Sequence, residues 1–256
     1  MLLLIDAGNT RIKWALCDSA ASALGSWSKH GAVLHEDLST LAEAWRQASI
    51  SHVLISNVAG QTMRDQLEQT LLRAHGLKPL PITWFASTPQ LGGIQNNYRN
   101  PAQLGCDRFA AAIGAHALFP DQTLLIATCG TATTIDAVSA KGQFVGGMIL
   151  PGLGLMASAL ARNTAQLPQV PAQNTTLQPF ADNTDDAIVS GCLSAQVGAI
   201  ERAYAALSAQ YGAVTCLLAG GAAAYIAPHL TVAHQMVDNL VLIGLQVVAN
   251  QTHPSC

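Results

Sequence analysis

Charge is scarce in this chain. Twelve Lys and Arg with fifteen Asp and Glu amount to 11% of 256 residues, against a usual share of about 25%. The net charge is -3. A nucleic-acid binder working by bulk electrostatics is excluded, and so is a charge-rich disordered chain. The six cysteines (Cys17, Cys106, Cys129, Cys192, Cys216, Cys256) include no C-x-x-C pair, the pattern of reduced thiols in a cytoplasmic protein. No G-x-S-x-G and no G-K-[ST] occurs, so neither a hydrolase elbow nor a P-loop is expected. None of the eight histidines pairs at i,i+4, which leaves metal hydrolysis unsupported.

A continuous membrane span is also missing. Residues 142–161 carry no charge, but Gly146, Gly147, Pro151, Gly152 and Gly154 break the stretch into strand, turn and helix. Residues 239–250 are apolar and too short to span. Leu2–Ile5 is an apolar run of four with no basic flank or cleavage site, so no signal peptide is expected. With half its residues hydrophobic, the chain can build a core without disulfides. The excess points to surface buried again in an oligomer or a large cleft.

The first eighteen residues spell strand, glycine turn, strand. Helical spacing follows over 37–49, a short strand at 53–56, and an amphipathic helix over 61–74. Residues 76–100 are mostly loop, and a helix is expected from Pro101 to about Leu118, with proline in the first turn. The opening pattern then returns: Leu124–Val138 aligns with Leu2–Leu16 at an offset of 122, setting Gly130 on Gly8, Thr131 on Asn9 and Thr128 on Asp6. A strand at 143–149, a helix from Pro151, a long helix at 184–209, a strand at 214–218 and helices at 222–227 and 239–250 complete the second half. The expectation is two α/β lobes, 1–118 and 119–256, around a central cleft with the glycine turns facing each other.

Asp6-Ala7-Gly8-Asn9-Thr10 can aim backbone N–H groups at a phosphate, with Thr10 adding a hydroxyl, Lys13 a cation and Asp6 a carboxylate for Mg²⁺. An ordinary hairpin turn has the same composition; the second copy, Gly130–Thr134, favours a polyphosphate. Gly220-Gly221 closes an apolar strand, where paired glycines would let a flat ring approach the backbone. Tyr98–Arg108 gathers a tyrosine, two arginines and one aspartate. Asp107 suits a general base for a hydroxyl, and an arginine there suits a carboxylate substrate.

These motifs resemble the type III pantothenate kinase family of the acetate kinase/sugar kinase/Hsp70/actin superfamily. Its DxGNT motif stands as Asp6–Thr10, its Y-x-x-P-x-x-L-G-x-D-R motif as Tyr98–Arg108, and its D-x-G-T-A-x-T motif as Thr128–Thr134. The Gly146-Gly147…Pro151-Gly152, Asn183-Thr184…Gly191 and Gly220-Gly221 segments also match. The resemblance implies two ribonuclease H-like (actin-like ATPase) lobes and ATP-dependent phosphorylation of pantothenate to 4'-phosphopantothenate, the first step of coenzyme A biosynthesis. It implies ATP binding by Asp6, Ala7, Gly8, Asn9, Thr10, Arg11, Ile12, Lys13 and Thr131, with Mg²⁺ at Asp6. It implies Asp107 as base, and pantothenate contacts from Tyr98, Gly105, Cys106, Asp107, Arg108 and Thr184. A monovalent cation, K⁺ or NH₄⁺, and a homodimer come with the family.

One position departs. The family opens its second phosphate motif with an acidic residue that helps hold the cation, and here Thr128 supplies oxygen but no charge. Cation binding is expected to be weakened or relocated there. A weakly active or non-catalytic regulatory relative is the alternative, opposed by the intact Asp107. A dinucleotide oxidoreductase is the other rival, on Gly152-Leu153-Gly154-Leu155-Met156-Ala157, but residues 158–181 lack the acidic partner such a site needs.

Overall fold

The computed structural model describes residues 1–18, 23–170 and 178–252. Its contacts divide the chain into two compact units, Met1–Pro120 with Asn239–Cys256, and Asp121–Asp238.

The first unit is built on strands β1 (Leu2–Ala7), β2 (Arg11–Cys17), β3 (Lys29–Leu34), β4 (His52–Asn57) and β5 (Ile82–Trp84), in the order β3-β2-β1-β4-β5. The β1–β2–β3 run is antiparallel, and β4 and β5 join it parallel. Helices α1 (Leu41–Arg46) and α2 (Gln61–Ala74) cover it, and a short hairpin of β6 (Gln90–Leu91) and β7 (Ile94–Asn96) follows. The apolar faces of β1 and β4 pack with Trp45, Leu67 and Leu71 into one core.

The helix expected from Pro101 is broken. Pro101–Gln103 forms a single 3₁₀ turn capped by the Asn100 side chain, which accepts from the Ala102 N–H at 3.2 Å. Leu104 is extended, and α3 starts afresh at Cys106 (Cys106–Leu118). The restart puts Asp107 in the first turn, where unpaired N–H groups and the helix dipole favour an anion.

The second unit repeats the plan. Strands β8 (Thr123–Cys129), β9 (Ala132–Val138) and β10 (Gln143–Pro151) form an antiparallel run. Helices α4 (Leu153–Asn163) and α5 (Thr184–Tyr211) follow, then β11 (Val214–Ala219), helix α6 (Ala223–Ile226) and β12 (His234–Met236). Both β11 and β12 are parallel additions. The order β12-β11-β8-β9-β10 is that of the first sheet read from its other end.

Two further sequence expectations need correction. The constant offset of 122 holds only up to the turn. Asp6 pairs with Lys13 in the first hairpin and Thr128 with Thr134 in the second. The second strands therefore correspond at an offset of 121, because the second turn is one residue shorter. The other concerns helix α7 (Leu240–Thr252), expected in the C-terminal half, which lies in the first unit and packs on α3. Gly114 and Gly244 let the two helices meet: a Cβ on Gly244 would stand 1.8 Å from the Ala110 carbonyl oxygen, and one on Gly114 2.4 Å from that of Leu240. Cys256 lies outside the described residues.

Candidate active site

Strands β1 and β4 are parallel neighbours in register, with Asp6 opposite Ser56 and Ala7 opposite Asn57. The carboxyl ends of such strands are where α/β folds expose functional groups. Asp6 stands at that edge. Ser56, fully buried, touches Cys106 of α3, Oγ to Sγ at 3.4 Å, and the same thiol lies 3.7 Å from the Asn57 carbonyl. The β4 end thus seats the start of α3, and brings Asp107 within electrostatic reach of Asp6.

The turn after β1 is closed by Gly8 N–H donating to the Arg11 carbonyl at 3.1 Å. Neither backbone angle nor packing demands glycine at position 8: its φ is not positive, and an added Cβ would make an ordinary 3.4 Å contact. Asn9, Thr10 and Arg11, which follow it in the turn, are exposed. Ala7 and Ile12 have their side chains in the core, so only their backbone can face a ligand. Lys13 faces Asp6 across the hairpin.

Burial pushes the Asp6 carboxyl up to about 7; the Lys13 cation pulls it down and the Asp107 charge raises it further. Burial likewise raises Asp107, opposed by the Arg108 N–H, which donates to its Oδ1 at 2.8 Å, and by the Arg108 cation. Gly105 gives the carboxylate room, since a Cβ there would stand 2.7 Å from Oδ1. Arg108 is buried, donates from Nη1 to the Tyr98 hydroxyl at 3.0 Å, and lies over the Tyr98 ring at 5.8 Å. Arg99 is exposed. Burial also raises the Cys106 thiol, so it is a neutral contact and not a nucleophile. The structure therefore brings together, in one unit, Asp6–Lys13 and Tyr98–Arg108.

Thr128, Thr131 and Thr184 belong to the second unit. Thr128 is half-buried at the end of β8, and Thr131 is exposed in the turn closed by Gly130 N–H to the Ala132 carbonyl at 3.0 Å. Where the first hairpin sets Asp6 against Lys13, this one sets two hydroxyls against each other. Two other glycines are explained by this turn. Gly152 donates its N–H to the Thr131 carbonyl at 2.9 Å, and a Cβ on it would stand 2.1 Å from the Gly130 carbonyl oxygen. Gly220, at φ +92, would set a Cβ 2.4 Å from the Cys129 carbonyl oxygen. Gly220 is therefore a packing residue, and Gly221, with open space at its Cβ, is the one free to admit a flat ring. The Gly152 segment follows an antiparallel strand, which removes the dinucleotide reading.

Thr184 opens α5 beside the Asn183 cap, whose side chain accepts from the Asp186 N–H at 3.0 Å. It lines a cavity of about 670 Å³ whose other walls include Pro151, Met156, Leu160, Ile188 and Cys192. Three contributors belong to none of the sequence motifs. His35 bonds the Gly8 carbonyl, Ser56 seats Cys106, and Gln196, fully buried on α5, donates to the Pro151 carbonyl at 2.7 Å. Only Gln196, an uncharged polar residue at an inward position of an apolar helix, could have been suspected from pattern.

The sequence profile of a family described as "Type III pantothenate kinase" matches residues 2–206. A protein of that name from Janthinobacterium sp. (strain Marseille) is 62% identical over 260 residues, covering 100% of both chains. One from Cupriavidus pinatubonensis is 45% identical, covering 97% of this chain and 98% of the other. Among solved structures, a putative Baf family transcriptional activator from Campylobacter jejuni superposes with a TM-score of 0.58 at 18% identity, covering 98% of each chain. A putative 2-dehydro-3-deoxygalactonokinase from Sinorhizobium meliloti gives 0.57 at 14% identity, covering 100% of each. At these identities the structures speak for the fold alone, an α/β fold of two ribonuclease H-like units.

Proposed function

The chain belongs to the type III pantothenate kinase family, and from that premise we propose how its residues phosphorylate pantothenate. The 62% identity over the whole chain carries the activity itself: ATP-dependent transfer of a phosphoryl group to pantothenate. It does not favour the regulatory alternative.

Asp107 is the base. As the new P–O bond forms and the bond to ADP breaks, its carboxylate takes the proton of the primary hydroxyl of pantothenate. Support comes from the restart of α3, which sets this carboxylate on a helix N-terminus, and from burial, which makes it a stronger base than an exposed aspartate. Arg108, held by Tyr98, pairs with the pantothenate carboxylate, with Gly105 and Cys106 beside it in the same unit; Thr184, in the second unit, takes its pantothenate role from the family motif alone. The backbone of Asp6–Lys13 in the first unit binds ATP phosphate, and the Thr131 turn of the second unit has the same role by its motif; each reading is supported by a glycine, at position 8 or 130, for which the unit's own packing has no need.

Mg²⁺ fits the donors present. Asp6 is a half-buried oxygen donor whose carboxyl is raised by desolvation against the pull of Lys13, so a cation beside it would favour its ionised form. Bound there, the ion would neutralise phosphate charge as it builds in transfer. At position 128 a monovalent cation would meet a hydroxyl where the family motif offers a carboxylate, so its hold there is weak. A homodimer is supported by apolar exposure on β10 and α4, where Met148, Ile149 and Leu155 are 42%, 65% and 44% exposed. Cytoplasmic residence is supported by the described cysteines, all of them free. Among the described residues no helix is long and apolar enough to cross a membrane.

The test is a coupled ADP-release assay with pantothenate, with and without K⁺ or NH₄⁺. Pantothenate-dependent release is expected under at least one condition. Its absence under all of them would refute the proposal.

A further inference from the structure

His35 follows β3 directly. Because Leu34 pairs with Arg11 in the β2–β3 ladder, the next residue falls beside the turn that joins β1 to β2. Its Nε2 lies 2.8 Å from the Gly8 carbonyl oxygen, in a partly buried contact. A carbonyl only accepts, so Nε2 carries the proton and donates.

This bond fixes a peptide plane. In a trans peptide the carbonyl of one residue and the N–H of the next point in opposite directions, and no cis bond occurs among the described residues. Drawing the Gly8 oxygen towards His35 therefore turns the Asn9 N–H away from the imidazole, on the side where Asn9 is exposed. The Gly8 N–H is already committed to Arg11. Of these two neighbouring amides, the Asn9 N–H is the one left to face outward, and its aim depends on the Gly8–Asn9 plane. Glycine flanks that plane, so without a tether it turns cheaply.

We infer that His35 is a positioning residue for the nucleotide, holding the Gly8–Asn9 peptide so that the Asn9 N–H points at an ATP phosphate. The inference rests on the proposed phosphate role of Asp6–Lys13. It concerns a residue on another element with no part in the motifs. Loss of the bond leaves the turn in place but no longer aimed, so the effect falls on ATP and spares pantothenate.

The test compares wild type, His35→Ala and His35→Gln in steady-state assays, with each substrate varied at saturation of the other. The Gln amide nitrogen can replace Nε2 as donor. His35→Ala is expected to raise KM for ATP about fivefold or more, the weight of one neutral hydrogen bond. KM for pantothenate and the melting temperature should stay within about twofold and about 2 °C of wild type, the scale of a change that leaves the core intact, and His35→Gln should recover most of the ATP effect. An unchanged KM for ATP in His35→Ala, an equal rise for both substrates, or failure of glutamine to rescue overturns the inference. A wild-type enzyme without pantothenate-dependent turnover would instead overturn the kinase reading, so the two failures are distinguishable.

Discussion

Replacing Asp6 with asparagine should stabilise the ligand-free protein while disabling it. Burial holds the Asp6 carboxyl near 7 instead of its ordinary 3.8. At about 1.4 kcal/mol per pH unit, that gap corresponds to roughly 4 kcal/mol against the ionised form as a ceiling. Water reaching a half-buried group reduces this to about 1–2 kcal/mol. The sign follows from linkage: a carboxyl raised on folding favours the folded state most below pH 3.8 and loses that contribution as pH rises through about 7. The asparagine amide cannot ionise, so the variant's advantage should be largest at pH 8 and vanish near pH 4. At ~2–4 °C per kcal/mol for a protein of this size, melting at pH 8 should rise by about 4 °C. Thermal scans from pH 4 to 8, with and without MgATP, are the assay. MgATP should stabilise wild type far more than Asp6→Asn, and kcat/KM for ATP should fall by about 10²-fold. A variant that melts lower than wild type at pH 8, or a gain independent of pH, would refute the burial argument.

Other substitutions read separate parts of the account. Asp107→Asn should lower kcat by about 10²–10⁴-fold with an unchanged circular dichroism spectrum, and near-wild-type turnover would remove Asp107 as base. Thr128→Asp should strengthen activation by K⁺ in the ADP-release assay; an unaltered cation response would separate position 128 from cation binding. Gly244→Ala drives a methyl group into the Ala110 carbonyl of α3 and should cost about 1–3 kcal/mol by overpacking, measured by urea denaturation.

The turns were legible because their chemistry is local: a glycine, an Asx or hydroxyl residue and flanking apolar strands identify Asp6–Thr10 and Thr128–Thr134 wherever they fold. The duplication was legible for the same reason, but only to the turn. One deleted residue between Thr131 and Thr133 shifts the second strand without disturbing its alternation, so only the pairing of Thr128 with Thr134 reveals it. The break before Cys106 was hidden because Pro101 is a good first-turn residue, and the extended Leu104 follows from packing that side chain into the core. Helix α7 returns to the first unit through glycines on α3 and α7 that meet only in space, across well over a hundred positions. His35 has no motif at all: a β-ladder carries it to Gly8, and ladders are not written in any single segment.

The most direct measurement is the identity of the product. Incubating the full chain with MgATP, pantothenate and K⁺ or NH₄⁺, and following the mixture by ³¹P NMR and mass spectrometry, should show ADP appearing in step with a phosphate monoester on the primary hydroxyl of pantothenate, and almost none with Asp107→Asn. ADP without that ester, or equal ester from Asp107→Asn, would contradict the account.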